Sequence, residues 1–162
     1  MLTDALSRQY EKCLSMFVET IKNYDNELWH DATNYKSPAW QIAYHALYCT
    51  NAYCSPTAER IRRWPKEREN YHRFSEMHKI RARDPSAILP YSQDDILEYL
   101  EFIRANVPGY LAEMQPEQDC WPDWYDESQL EFHLNNLRHT QHHIADLIER
   151  HDIKSEFSYE WR

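Results

Sequence analysis

Between Thr3 and Tyr24 the residues Leu6, Tyr10, Cys13, Phe17, Ile21 and Tyr24 recur at steps of three and four, which predicts an amphipathic helix. Ser37-Pro38 reads as an N-cap followed by proline at the first helical position. The helix it opens runs to about Cys54, carries Trp40, Ile42, Tyr44, His45, Leu47 and Tyr48, and stops at Ser55-Pro56. A third helix is expected from Ser92 to Met114, with Asp94 and Asp95 in its first turn favouring the macrodipole. Pro108-Gly109 interrupts its stripe, so a kink or break is expected there. Ser128 caps a last helix that runs to about His151.

Between these lie two less regular stretches. Residues 55–91 hold four prolines, many charges and weak periodicity, the pattern of a long connection with short helices near 57–63 and 69–80. Pro116 to Tyr125 has two tryptophans and two prolines, a loop whose aromatics are expected to cover one end of the fold. The tail from Asp152 to Arg162 has no pattern. Long helices at about 3–24, 38–54, 92–114 and 128–151, one long crossover between the second and third, and no internal repeat predict a single all-α domain, a four-helix bundle.

The last helix is covered on two sides. At about 100° per residue, Leu130, Leu134, Leu137, Ile144 and Ile148 form one apolar sector. His139 and His143 lie roughly 100° or more from its centre, with Phe132, Asn136, Asp146 and Leu147. Rotation alone leaves open which side faces the interior.

Composition narrows the chemistry. Gly109 is the only glycine in 162 residues, so neither a dinucleotide-binding nor a Walker-type glycine loop exists. The net charge of −9 opposes a phosphate backbone, and the cations between Arg60 and Arg83 are interrupted by Glu67, Glu69 and Glu76. Nucleic acid is not an expected partner. No apolar run approaches the ~18 residues of a membrane span and the N-terminus lacks a signal pattern, so a cytoplasmic location with reduced thiols is expected. Cys13, Cys49, Cys54 and Cys120 fit no zinc-finger spacing.

Three of the nine histidines crowd into Arg138-His139-Thr140-Gln141-His142-His143. His139 and His143 stand at i and i+4, about 6 Å apart on one helical face, a spacing at which two imidazoles can meet on one metal ion. His45, in the middle of an apolar helix, is a third donor that needs a partner. Three neutral imidazoles leave a divalent ion its full charge and an open position, the arrangement of catalytic rather than structural sites. The competing reading makes His45 a hydrogen-bonded core residue and leaves His139 and His143 at the surface. Cys49, one turn beyond His45, is a possible fourth ligand or a buried structural thiol. Asp146, three residues past His143, could orient a ligand or stand in solvent. His142 points away from the pair.

Ser37-Pro38-Ala39-Trp40-Gln41-Ile42-Ala43-Tyr44-His45-Ala46-Leu47-Tyr48, together with Leu137-Arg138-His139-Thr140-Gln141-His142-His143, resembles the DinB/YfiT-like superfamily of metal-dependent helical proteins. The resemblance implies a four-helix bundle with an unusual crossover, a homodimer, and a metal held by His45, His139 and His143. It also implies a metal-dependent enzyme, a transferase that uses a low-molecular-weight thiol or a hydrolase. A non-catalytic dimeric scaffold is the alternative. Zinc or nickel is the expected metal, with iron and manganese also suited to histidine nitrogen. Many members follow the double histidine with Gly-Gln, where this chain has Ala145-Asp146, so substrate does not carry over.

Overall fold

The computed structural model describes residues 2–33 and 35–152. They form six α-helices: α1 (Leu2–Lys22), α2 (Asn26–His30), α3 (Ala39–Cys54), α4 (Phe74–Arg83), α5 (Gln93–Glu113) and α6 (Gln129–Asp152). Two short 3₁₀ turns, Ala58–Arg60 and Pro85–Ala87, interrupt the segment between α3 and α5. The described residues contain no strand, only an isolated bridge between Asp119 and Ser128. The all-helical class is therefore as expected. Residues 153–162, part of the patternless tail, lie outside the described residues.

Local chemistry explains the helix ends. Ser92 and Asp95 exchange hydrogen bonds in a capping box that starts α5. Ser128 and Glu131 do the same for α6: the Ser128 amide donates to the Glu131 carboxylate at 2.8 Å. Two expectations fail here. The α3 N-cap is Pro38 rather than Ser37, whose hydroxyl is instead 2.9 Å from His78 Nε2. Of the kink or break expected at Pro108, the break does not occur: helix α5 continues to Glu113, proline removing one amide from the ladder while the apolar faces on both sides of it stay buried. The short helix expected near 69–80 is shifted to Phe74–Arg83. Helix α2 was not expected at all: Asp25 caps it through the Leu28 amide at 2.7 Å, and it delivers Trp29 to the interior.

Helix α3 packs mainly on α6 and α5, and α1 on α5 and α6. The residue pairs give the directions. Gln93, opening α5, donates to the carbonyls of Ile21 and Tyr24 at the end of α1, so α1 and α5 run oppositely. Tyr10 meets His133 and Tyr24 meets the Leu147 carbonyl, so α1 and α6 run together. Thr50 faces Thr140 and Cys54 faces Asn136, so α3 and α6 run oppositely.

The irregular segment before α5 supplies core residues that its weak periodicity does not announce. Trp64 stacks on Tyr99 at 4.6 Å between centroids, and Tyr91 lies 4.6 Å from Tyr44. With Trp29 and Trp40 they make an aromatic interior in which each ring buries about 150–250 Å². Trp124, in the loop expected to cover one end, is instead 70% exposed. No described helix is long and apolar enough to cross a membrane.

Candidate metal centre

The antiparallel pairing of α3 with α6 decides which side of α6 turns inward. Phe132, Asn136, Thr140, His143 and Leu147 are buried; of the apolar sector Ile144 is buried, Leu130, Leu137 and Ile148 pack against the core, and Leu134 is 50% exposed. The histidine side thus faces the interior. This places His45 of α3 against the pair on α6, with ring centroids 5.3 Å from His139 and 4.9 Å from His143, and 4.6 Å between the pair.

The hydrogen bonds of the outer ring nitrogens fix the protons. His45 Nδ1 lies 2.6 Å from the backbone carbonyl of His72, which can only accept, so Nδ1 carries the hydrogen and Nε2 keeps a lone pair. His143 Nδ1 lies 3.2 Å from an Asp146 carboxylate oxygen, and the same argument leaves a lone pair on its Nε2. That Nε2 lies 3.2 Å from Nε2 of His139. His139 Nδ1 is buried and has no hydrogen-bond partner. His139 Nε2 therefore either donates a proton to His143 or shares a cation with it. The spacing suits a cation: nitrogens about 2.0–2.1 Å from a tetrahedral ion stand about 3.3 Å apart.

Burial holds these rings neutral, which is the ligating form. Desolvation, followed by the neighbouring imidazoles, pushes His143 down to about 3 and His139 to about 4. His45 is also lowered, chiefly by burial, with the His72 carbonyl acting against it. Phe74 of α4 lies 4.3 Å from the His45 ring, tilted by 35°, and Tyr48 lies flat on His72 at 3.8 Å, so aromatic rings hold the outer layer in place.

Cys49 is buried next to this cluster, its sulfur 3.9 Å from His45 Nε2. One donor atom each from His45, Cys49 and His139 lie within 4.8 Å of one another, as do donors from His142, His143 and Asp146. Without a cation, burial pushes the Cys49 thiol up to about 12. His142 is exposed, with Nε2 3.6 Å from Asp146. Sequence reasoning missed the His72 carbonyl and Phe74; a backbone acceptor leaves no side-chain signal, and Phe74 sits in a segment whose periodicity is too weak to say which residues face inward.

One turn earlier along α6, a second polar group is buried between the same helices. Asn136 Nδ2 donates to the Thr50 carbonyl and to the Tyr10 hydroxyl, both at 3.1 Å. The Tyr10 hydroxyl is 2.9 Å from His133 Nδ1, and the Thr50 and Thr140 hydroxyls are 2.7 Å apart. His133, which has no spacing signal in the sequence, belongs to this network.

Comparisons with family models, with curated proteins and with solved structures find no match for this chain.

Proposed function

We propose that the chain is a metal-binding protein of the DinB/YfiT-like type, a four-helix bundle of α1, α3, α5 and α6 in which residues 55–92 form the long crossover. In this reading His45, His139 and His143 hold one divalent transition ion, zinc or nickel before iron or manganese. The observation that carries it is the pair of outer hydrogen bonds, His45 to the His72 carbonyl and His143 to Asp146. They leave Nε2 lone pairs turned toward the cluster. Metal-ligating histidines are oriented in this way, by a carbonyl or carboxylate on the far ring nitrogen.

Such an ion acts as a Lewis acid toward a bound thiol or water, which makes the protein a metal-dependent transferase or hydrolase. The chain's own residues orient the imidazoles, keep them unprotonated and wall the cluster with Phe74, Tyr48 and Tyr53. The same reading makes the protein a cytoplasmic homodimer, in keeping with four free cysteines among the described residues. A second reading, a helical scaffold with a closed structural site, draws on the position of Cys49 beside His45.

Elemental analysis of untagged protein, purified without chelator, tests the proposal beside His45→Ala, His139→Ala and His143→Ala. One equivalent of a transition metal in the parent, lost in all three variants, is the expected result. A parent that takes up no zinc, nickel, iron or manganese on reconstitution would sink the metal reading.

A further inference from the structure

We propose that Cys49 is a ligand of the same ion, so that its resting coordination is three imidazole nitrogens and one thiolate. The inference rests on the metal reading above and deepens it, and by closing the resting site it favours the structural alternative over an ion with a vacant position. Helix α3 sets the geometry: residue 49 follows residue 45 by one turn, on the same face. A nitrogen and a sulfur bound to one tetrahedral zinc, at about 2.0 and 2.3 Å, stand about 3.5 Å apart. The Cys49 sulfur is 3.9 Å from His45 Nε2, and the two imidazoles on α6 are already at a nitrogen-to-nitrogen edge of 3.2 Å. One donor atom each from His45, Cys49 and His139 lie within 4.8 Å of one another, while His143 stands outside that trio and joins it through its 3.2 Å edge with His139.

The other cysteines have different surroundings. Cys54 accepts from Asn136 Nδ2 at 3.4 Å, and Cys120 faces the carbonyls of Pro122 and Tyr125 at 3.8 and 3.9 Å. Cys49 alone among these three faces an imidazole nitrogen that carries a lone pair, and it is also hydrogen-bonded to the Tyr53 side chain. On ligation the thiol proton passes to solvent, and the thiolate leaves the ion with one net positive charge instead of two. A fourth protein ligand closes the sphere, as in structural sites, and any substrate then enters only by displacing a ligand or as a fifth one.

Cobalt(II) is the probe, bound to the intact chain and read by absorption. The parent is expected to take up one equivalent, with visible d–d bands of a tetrahedral ion and an intense near-ultraviolet thiolate-to-cobalt charge-transfer band. Cys49→Ala and Cys49→Ser should lose the near-ultraviolet band, keep visible bands from the remaining imidazoles, and bind cobalt at least about tenfold more weakly, since even outer-layer changes cost ~10–100-fold. Cys54→Ala, with unchanged helical circular dichroism, should keep both bands. Visible bands without a charge-transfer band in the parent, or a charge-transfer band that survives in Cys49→Ala, would overturn the inference while leaving the histidine site standing. Absence of any cobalt spectrum after reconstitution would remove both together.

Discussion

Two buried polar groups lie one turn apart on the α3–α6 interface, and they are built on opposite principles. Around Asn136, donors meet acceptors: its amide nitrogen serves a carbonyl and a hydroxyl, Tyr10 meets His133, and Thr50 meets Thr140. Around His45, His139 and His143, outer nitrogens are tied down and lone pairs are turned toward one another. The first network is paired on every side but one, the Asn136 side-chain oxygen having no hydrogen-bond partner, and it contributes to stability without a ligand. Converging lone pairs contribute little until something electron-poor joins them. Burial alone does not mark a functional site; the sign of the groups brought together does.

The contrast breaks most visibly under truncation. Asn136→Ala removes one group from the centre of the first network and leaves the Thr50 carbonyl and Tyr10 hydroxyl short of a partner in the interior. A loss of roughly 2–4 kcal/mol is expected from unpaired groups and residual cavity, measured by urea unfolding. His139→Ala in metal-free protein should stay within about 1 kcal/mol of the parent, because its Nδ1 has no partner and its Nε2 gives up only the contact with His143. If both variants lose equal stability, the two groups are not different in kind.

Metal reverses the order. Zinc at a hundredfold excess over its dissociation constant should raise the parent's stability by about 2.7 kcal/mol. The rise should vanish in His139→Ala and persist in Tyr10→Phe, which touches only the first network. Differential scanning calorimetry with and without zinc checks this. A smaller effect sharpens the same point: Asp146→Asn retains a side chain of the same shape but weakens the hold on His143 Nδ1. Zinc affinity, measured by competition with a chelator, should fall about 10–100-fold while metal-free stability barely moves. Unaltered affinity would make Asp146 a solvated carboxylate with no part in the site.

How much of this was legible in the chain follows from the range of each interaction. The periodic stripe of α1 and the Ser92 and Ser128 caps are local, and the structure has helices where they point. The i, i+4 pair is equally local. How α6 divides its two sides was not legible: rotation left both open, and the fold buries Asn136 and Thr140 together with Ile144 while leaving Leu134 half exposed. Those polar groups can be buried only because Tyr10 and Thr50 arrive from elsewhere, the former 126 residues away in sequence. The Trp64 and Tyr91 anchors were hidden for a similar reason, since a residue that docks from an irregular segment needs no period.

Acid separates the two groups least, but the sign can be worked out. Histidines held at about 3 and 4 in the fold, against about 6.5 in the unfolded chain, bind their protons first on unfolding. Above about pH 7 both states are neutral and the site costs nothing. As pH falls below about 6.5 the unfolded chain takes up protons that the fold does not, so stability drops, and the drop continues until the folded values near 4 and 3 are reached. Each such proton contributes a slope of at most ~1.4 kcal/mol per pH unit, and less here because solvent reaches part of the cluster. His133, also at about 4, adds to the same slope from the other network, as does His72. Removing one histidine therefore flattens the acid limb without abolishing it. His143→Ala should lose part of the stability difference between pH 7 and pH 4, measured by urea midpoints at each pH. Zinc should deepen the limb in the parent, because protons then compete with the ion for the same lone pairs. A limb equally steep in parent and His143→Ala would mean that the cluster is open enough to water to titrate normally, and that its lone pairs are not held ready for a cation.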